Sequence, residues 1–134
     1  MKKTVKAFIE IGKNLDYDIC SEPETGVSFM LLGQGKTIME AKQDFFNCFE
    51  DLRISYDLQG KELPDVEFEF VYDVQSFLKY SPFSLTWISG ATGINKRQLS
   101  HYTTRRKNPS RVTLTKIQNA VNNFVADYSQ VHFV

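Results

Sequence analysis

Apolar and polar residues alternate along the first part of the chain. In residues 4–11 every second side chain is apolar, and the positions between them include Lys6 and Glu10. A period of two is typical of a strand with one buried face, so this segment predicts a first strand. Two more short strands are predicted over residues 17–20 and 27–32, with a turn-prone segment between them. Three strands with short connections favour an antiparallel meander.

The period then lengthens to three or four residues. Thr37 can cap a helix through its hydroxyl, and Glu40, three residues on, can return a hydrogen bond to the cap amide. The apolar stripe of this helix comprises Ile38, Ala41, Phe45, Cys48 or Phe49, Leu52 and Tyr56. Alternation resumes over residues 66–70 and predicts a fourth strand. The order β-β-β-α-β predicts a small α+β domain, with one helix packed across an antiparallel-rich sheet.

From residue 73 onward the pattern is helical. Residues 73–80 predict a short connecting helix that ends before a proline. Ser84 can cap the next helix, Gly93 can take the left-handed conformation that ends it, and Asn95 can cap a second helix over residues 96–104. A last helix, with Thr113 as its predicted cap, carries an apolar stripe of Leu114, Ile117, Val121, Phe124 and Tyr128.

The residues around the predicted turn have the spacing of a helix-turn-helix. Ser89 is small where two helices would cross, Gly93 follows four residues later, and Ile94 and Leu99 can fill the core between the helices. With NPSRVTLTKI after the second helix, the segment resembles the phage-repressor or Xre class of helix-turn-helix proteins. Ser89 stands where that class more often has alanine.

The charged residues divide the chain into halves of opposite sign. Residues 1–76 carry 8 Lys+Arg against 15 Asp+Glu, whereas residues 77–134 carry 8 Lys+Arg and a single carboxylate, Asp127. We therefore predict an acidic domain over 1–76 and a basic, all-α domain over 77–134. The basic half suits a polyanion and the acidic half a cationic surface, unless the two halves attract each other.

A second helix inserted in a major groove would bring specific side chains to the DNA. Base-edge contacts are predicted for Asn95, Lys96, Arg97, Gln98, Ser100 and His101. Phosphate contacts are predicted for Arg105, Arg106, Lys107 and Arg111. Because paired modules of this kind read half-sites about one DNA turn apart, a homodimer or a higher homo-oligomer is expected.

The sequence lacks the usual patterns of catalytic and metal sites. Cys20 and Cys48 have no zinc-site spacing, and His101 and His132 are the only histidines. We therefore predict no enzyme activity, no metal and no cofactor. No signal peptide or membrane-spanning stretch is recognised, so a reducing, cytoplasmic setting is expected.

The first half resembles a known family in the segment GQGKTIMEAKQDFFNCFEDL. With Gly35, Thr37, Glu40 and Ala41 at its helix start, it is similar to the region after the third strand of HicB-type antitoxins. This chain has VSFMLLGQG in place of the Pro-Asp-Leu-Pro-Gly-like segment of many members. The resemblance implies a reduced ribonuclease H-like fold for residues 1–76.

The same resemblance implies a function. Residues 1–76 would neutralise a HicA-type toxin, a small basic ribonuclease that cuts messenger RNA, and residues 77–134 would bind operator DNA and repress transcription. One alternative is a stand-alone transcriptional regulator whose acidic domain senses a ligand or dimerises. Another is a ribonuclease H-like nuclease, for which Glu10, Asp44, Glu50 and Asp51 are candidates by residue type.

Overall fold

The computed structural model describes residues 2–22 and 27–134. The chain divides into two compact units, Met1–Tyr80 and Ser81–Val134. The described part of the first unit contains strands β1 (Lys3–Ile11), β2 (Tyr17–Ser21), β3 (Leu32–Gly35) and β4 (Val66–Tyr72) and helices α1 (Ile38–Leu58) and α2 (Val74–Tyr80). The second contains helices α3 (Leu85–Thr92), α4 (Lys96–Thr103) and α5 (Arg111–Tyr128). The class is therefore α+β.

The predicted division after Ser76 falls inside α2, and the structure places it after Tyr80 instead. The α2 helix is tied to the first unit at its start. The Asp73 carboxylate accepts a hydrogen bond from the Ser76 backbone N–H at 3.1 Å, and the Ser76 hydroxyl accepts one from the Ile11 N–H at 3.0 Å. These bonds fasten the first turn of α2 to the end of β1.

The sheet has the order β3-β2-β1-β4. As the meander predicts, β1 pairs with β2 and β2 with β3 in antiparallel fashion. The fourth strand differs, because β4 runs parallel to β1, with Val5 opposite Phe68. A parallel neighbour requires a crossover connection, and α1 lies between β3 and β4 along the chain. The sheet is therefore mixed.

One face of the sheet is covered by α1. Val5, Ala7 and Ile9 of β1 alternate with exposed or half-buried residues and are buried in one cluster with Ala41 and Phe45 of the helix. The remaining predicted stripe positions Ile38, Cys48, Phe49 and Leu52 pack against this cluster, and Tyr56 is half-buried. Burial of this apolar surface is the main stabilising term of the unit.

The third strand was predicted too early in the chain. The ladder with β2 covers Leu32–Gly35 rather than residues 27–32. Val27, Phe29 and Leu31 are nevertheless buried in the core. The Ser21 hydroxyl takes the place of a ladder partner by accepting from the Leu31 N–H at 2.8 Å. Alternation therefore marked the buried face correctly but not the paired residues.

Gly33 lets β3 pass close beneath α1. A Cβ at this position would lie 2.4 Å from the Ala41 carbonyl oxygen and 2.6 Å from the Phe45 nitrogen. Both are backbone atoms of the helix, so neither can move aside alone. The glycine is required by this close approach.

The predicted cap of α1 is confirmed in one of its two bonds. The Thr37 hydroxyl accepts from the Glu40 N–H at 3.0 Å, as predicted. The Glu40 carboxylate, however, accepts from the Lys36 N–H at 2.9 Å rather than from the cap amide, so that part of the prediction is wrong. The acidic side chain still binds a main-chain donor just before the helix, where the helix dipole favours negative charge.

In the second unit, α4 and α5 both lie against α3. Ile88, Leu99, Tyr102, Ile117 and Ala120 are buried there. The Phe83 and Trp87 rings each form a T-shaped contact with the Phe124 ring. This small core fixes the position of α4.

Of the two predictions for α5, the cap is wrong and the apolar stripe is confirmed in part. Its cap is Ser110, whose hydroxyl accepts from the Thr113 N–H at 3.2 Å, so Thr113 lies inside the first turn. Of the predicted stripe, Ile117 is buried and Val121 and Phe124 are half-buried, whereas Leu114 and Tyr128 are exposed. The reason is length, because the 18-residue α5 packs on an α3 of 8 residues, which cannot cover all of its turns.

Candidate nucleic-acid interface

The turn between α3 and α4 is held by side-chain hydroxyls. Gly93 has φ 77°, the left-handed conformation predicted for it, and its N–H donates to the Ser89 carbonyl at 2.9 Å. The Ser89 hydroxyl donates to the Ile94 carbonyl at 2.6 Å. The Thr92 hydroxyl accepts from the Ile94 N–H at 3.2 Å. The Ser89 hydroxyl, which an alanine at this position would lack, therefore stabilises the turn.

The same turn sets where α4 begins. The Asn95 side chain caps the helix by accepting from the Arg97 N–H at 2.8 Å. Leu99 and Tyr102 are buried on one face of α4. A helix that buries one face in this way must present the opposite face outward.

The outward face of α4 is polar and basic. Lys96, Arg97, Ser100, His101 and Thr104 follow each other at the spacing that places residues on one side of a helix. Together with Leu85 and Arg106 they line an open cavity of about 530 Å³. Four of the six residues predicted to read bases are thus brought together.

The other two predicted base-reading residues are placed differently. Asn95 uses its side-chain oxygen in the helix cap. The Gln98 amide donates to the Tyr102 hydroxyl at 2.6 Å. Neither side chain lines the cavity.

The cations predicted to contact phosphate lie around the C-terminal end of α4. Arg105 has φ 62° and turns the chain, Arg106 lines the cavity, and Lys107 is exposed beside them. Arg111 is the first residue of α5, and that helix has no acidic residue in its first turn. Among the residues that the structure describes, none of these four cations is paired with a carboxylate. Their charge therefore remains available to an external anion.

Two residues of the cavity were not predicted. Thr104 follows Lys96 by eight residues, so helical periodicity extended one turn further would have found it. Leu85 comes from the start of α3 and had no signal in the sequence, because only the packing of α3 against α4 brings it there.

The carboxylates considered for a nuclease do not form one cluster. Glu10 and Asp44 both line an open cavity of about 500 Å³ on the first unit. The Asp44 carboxylate accepts from the Gln34 N–H at 2.9 Å, and so joins α1 to β3. Glu50 instead pairs with Arg53, whose hydrogen bond lowers the pKa of that carboxyl. Within residues 2–22 and 27–134, no group of three or more His, Cys, Asp or Glu side chains could hold a metal ion.

Cys20 also lines the cavity of the first unit. Burial raises the pKa of its thiol, and the nearby Glu10 and Glu22 carboxylates raise it further. Nucleophilic cysteines need a lowered pKa, because the thiolate is the reactive form. The surroundings of Cys20 act in the opposite direction.

No family model matches the chain, and neither the curated proteins nor the solved structures contain a match to it. In the described part of the chain, no helix is both long and apolar enough to cross a membrane.

Proposed function

We propose that the second unit binds duplex DNA as a helix-turn-helix module with α4 as the recognition helix. The observation that carries this proposal is the outward face of α4, where Lys96, Arg97, Ser100 and His101 lie together and, among the described residues, no carboxylate pairs with the two cations. Cationic side chains on a helix can bind guanine acceptors in the major groove. The four cations that follow α4 supply the salt-dependent attraction to phosphate.

We further propose that the protein is an antitoxin of the HicB type. The first unit would bind and neutralise a small basic HicA-type toxin that cleaves messenger RNA, and the second would hold the pair on its operator to repress transcription. This rests on the sequence resemblance at the start of α1 and on the charge of the first unit. Residues 1–80 contain 9 Lys+Arg against 15 Asp+Glu, which favours a basic partner.

Two arginine variants and a control test the DNA-binding proposal. Arg97→Ala should lose about ten- to a hundredfold in affinity for a selected site and little for random duplex, because its contact is to a base. Arg106→Ala should weaken binding to all sequences and reduce the salt dependence by about one counterion. Lys116→Ala removes the same charge from the exposed surface of α5 and serves as the matched control. Fluorescence anisotropy over a salt series measures all three.

Equal, sequence-independent losses in the two arginine variants would contradict the assignment of α4 as the recognition helix. Nuclease protection on the selected site tests the expected dimer, which predicts two half-sites about one DNA turn apart.

The antitoxin proposal is tested with the product of the adjacent reading frame. Purified chain should form a salt-sensitive complex with it and stop its cleavage of RNA. Continued cleavage of RNA at a saturating concentration of the chain would overturn the proposed neutralisation. If the chain binds DNA sequence-specifically but no toxin is found, the stand-alone transcriptional regulator becomes the better proposal. Metal-dependent cleavage by the chain alone would instead support a nuclease.

A further inference from the structure

The free edge of β4 exposes main-chain hydrogen-bonding groups. β4 is the last strand in the order β3-β2-β1-β4, and in the described residues it pairs with β1 alone. The Lys3 N–H donates to the Asp65 carbonyl, and the Asp73 N–H donates to the Ile9 carbonyl. Odd-numbered residues of this segment therefore point their main-chain groups at β1. By the alternation of a strand, those of Phe68 and Phe70 point to the open edge.

One face of this edge carries a half-exposed aromatic surface. The Phe46 ring of α1 lies 5.7 Å from the Phe70 ring and 6.1 Å from the Phe68 ring, and Phe46 is 43% exposed. The Lys42 ammonium lies 4.7 Å from the centre of the Phe70 ring. An apolar side chain on an added strand would find these rings beside the open hydrogen-bonding groups.

The opposite face of the edge is acidic. Glu67 and Glu69 are exposed on β4, and neither forms an ion pair within the described ranges. Glu67 accepts one hydrogen bond from the Thr4 hydroxyl at 3.1 Å, which leaves most of its acceptor capacity free. Glu69 has Lys6 opposite it on β1.

The two carboxylates disfavour a second copy of the chain as the partner. In an antiparallel pairing of two β4 strands, even-numbered residues lie opposite even-numbered ones and odd opposite odd. When the two strands overlap centrally, Glu67 and Glu69 therefore oppose carboxylates of the other copy. Like charges directly opposite each other destabilise a strand pair. Charged edge strands commonly prevent self-association in this way. Such protection explains the glutamates but not the exposed Phe46.

We propose that the free edge of β4 binds a strand of a basic partner protein, which extends the sheet by one strand. The added strand carries cationic residues beside Glu67 and Glu69 and apolar residues against the Phe46, Phe68 and Phe70 rings. This is sheet extension by an extended segment, in which main-chain bonds supply affinity and alternate side chains supply specificity. The inference rests on the proposed function for the basic character of the partner, and it adds the surface and the mode of binding.

The first test uses a synthetic peptide of about eight residues in which lysine and valine alternate, a length that matches an ordinary strand. Added to the full chain labelled with ¹⁵N, it should slow hydrogen exchange of the Phe68 and Phe70 amides and leave the exchange rates in α5 unchanged. A peptide with glutamate in place of lysine should bind at least about tenfold more weakly, because its carboxylates face Glu67 and Glu69.

Two methylated peptides test the main-chain bonds. Methylating the nitrogens of every valine blocks one edge of the peptide, and methylating those of every lysine blocks the other. One of these peptides should bind and the other should fail, since only one edge faces β4. Equal binding by both would overturn strand addition, even if the peptides are attracted by charge.

A double charge reversal tests the carboxylates. Glu67→Lys with Glu69→Lys should exchange the preference, so that the glutamate peptide binds about tenfold more tightly than the lysine peptide. Asp16→Lys with Asp51→Lys makes the same change in net charge at exposed residues elsewhere in the unit and should keep the original preference.

The same variants separate this inference from the proposed function. A toxin that is neutralised equally well by the Glu67→Lys/Glu69→Lys protein would overturn the binding surface and leave the antitoxin proposal intact. Peptide binding at β4 without neutralisation of any toxin would support the surface and contradict the antitoxin. Self-association of the chain through β4, seen as concentration-dependent protection of the Phe68 amide without peptide, would make a second copy the occupant and overturn the inference.

Discussion

At the residue scale, Gly90 and Gly93 lie three residues apart in the same segment but differ in backbone conformation. A Cβ at either position would meet no atom within 4 Å. Gly93 has φ 77°, whereas Gly90 lies within α3. An added methyl group should therefore affect stability differently at the two positions only because their backbone φ angles differ.

We expect the two alanine variants to change stability in opposite directions. Gly93→Ala should lower the free energy of unfolding by about 1 kcal/mol, because a side chain is strained at positive φ. Gly90→Ala should raise it by about 0.5–1 kcal/mol, because alanine loses less conformational entropy in a helix. Urea unfolding followed by the fluorescence of Trp87, which lies in this unit, measures both. Changes of the same sign would contradict the left-handed turn.

Gly33 tests the closeness of β3 to α1. Gly33→Ala places a methyl group against two backbone atoms of the helix, so we expect a loss of about 3 kcal/mol, at the upper end for overpacked cores. Gly12→Ala is the control, because its Cβ would lie 3.6 Å from the Asp16 carbonyl oxygen, an ordinary contact. Circular dichroism during urea unfolding gives the comparison. A Gly33→Ala protein as stable as the Gly12→Ala protein would contradict the close approach.

At the scale of the elements, helix starts were predicted well because each has a local cause. Thr37, Ser84 and Asn95 have side chains that accept a main-chain N–H two or three residues on. Thr113 failed as a cap because Ser110 offers the same chemistry three residues earlier. The local sequence does not show which of two residues caps a helix when both carry a hydroxyl and both are followed by helix-forming residues.

Variants of Asn95 distinguish effects on the stability of α4 from effects on its proposed contact with DNA. Asn95→Asp keeps the capping oxygen and adds negative charge at a helix N-terminus, so the free energy of unfolding should stay within about 0.5 kcal/mol. The same charge should repel DNA and weaken binding about tenfold or more. Asn95→Ala, which loses the cap, should cost about 1 kcal/mol of stability. Undiminished DNA affinity in the Asn95→Asp protein would argue against α4 as the DNA-facing helix.

At the scale of the whole molecule, the opposite charges of the two units allow two alternatives. Either each unit binds its own external partner, or the two units attract each other. If each unit binds its own partner, Glu67→Lys/Glu69→Lys should leave the affinity for DNA unchanged within about 0.5 kcal/mol. Arg97→Ala should likewise leave the affinity of the first unit for its basic partner unchanged. If they attract each other, loss of the two carboxylates should free the basic surface and raise DNA affinity. Anisotropy titrations at low and high salt distinguish the two outcomes.

The sequence by itself determined the class α+β, the buried face of β1, the stripe of α1 and the left-handed turn at Gly93, because each follows from local periodicity or from the dihedral freedom of one residue. Packing between distant segments decided the rest. It set the parallel pairing of β4 with β1 and the position of β3 at Leu32–Gly35 rather than at residues 27–32. It also left part of the apolar stripe of α5 uncovered. It also brought Leu85 of α3 beside Lys96, Arg97, Ser100 and His101, which helical periodicity alone places on one side of α4. Such choices depend on which surfaces meet, and residues far apart in the chain determine that together.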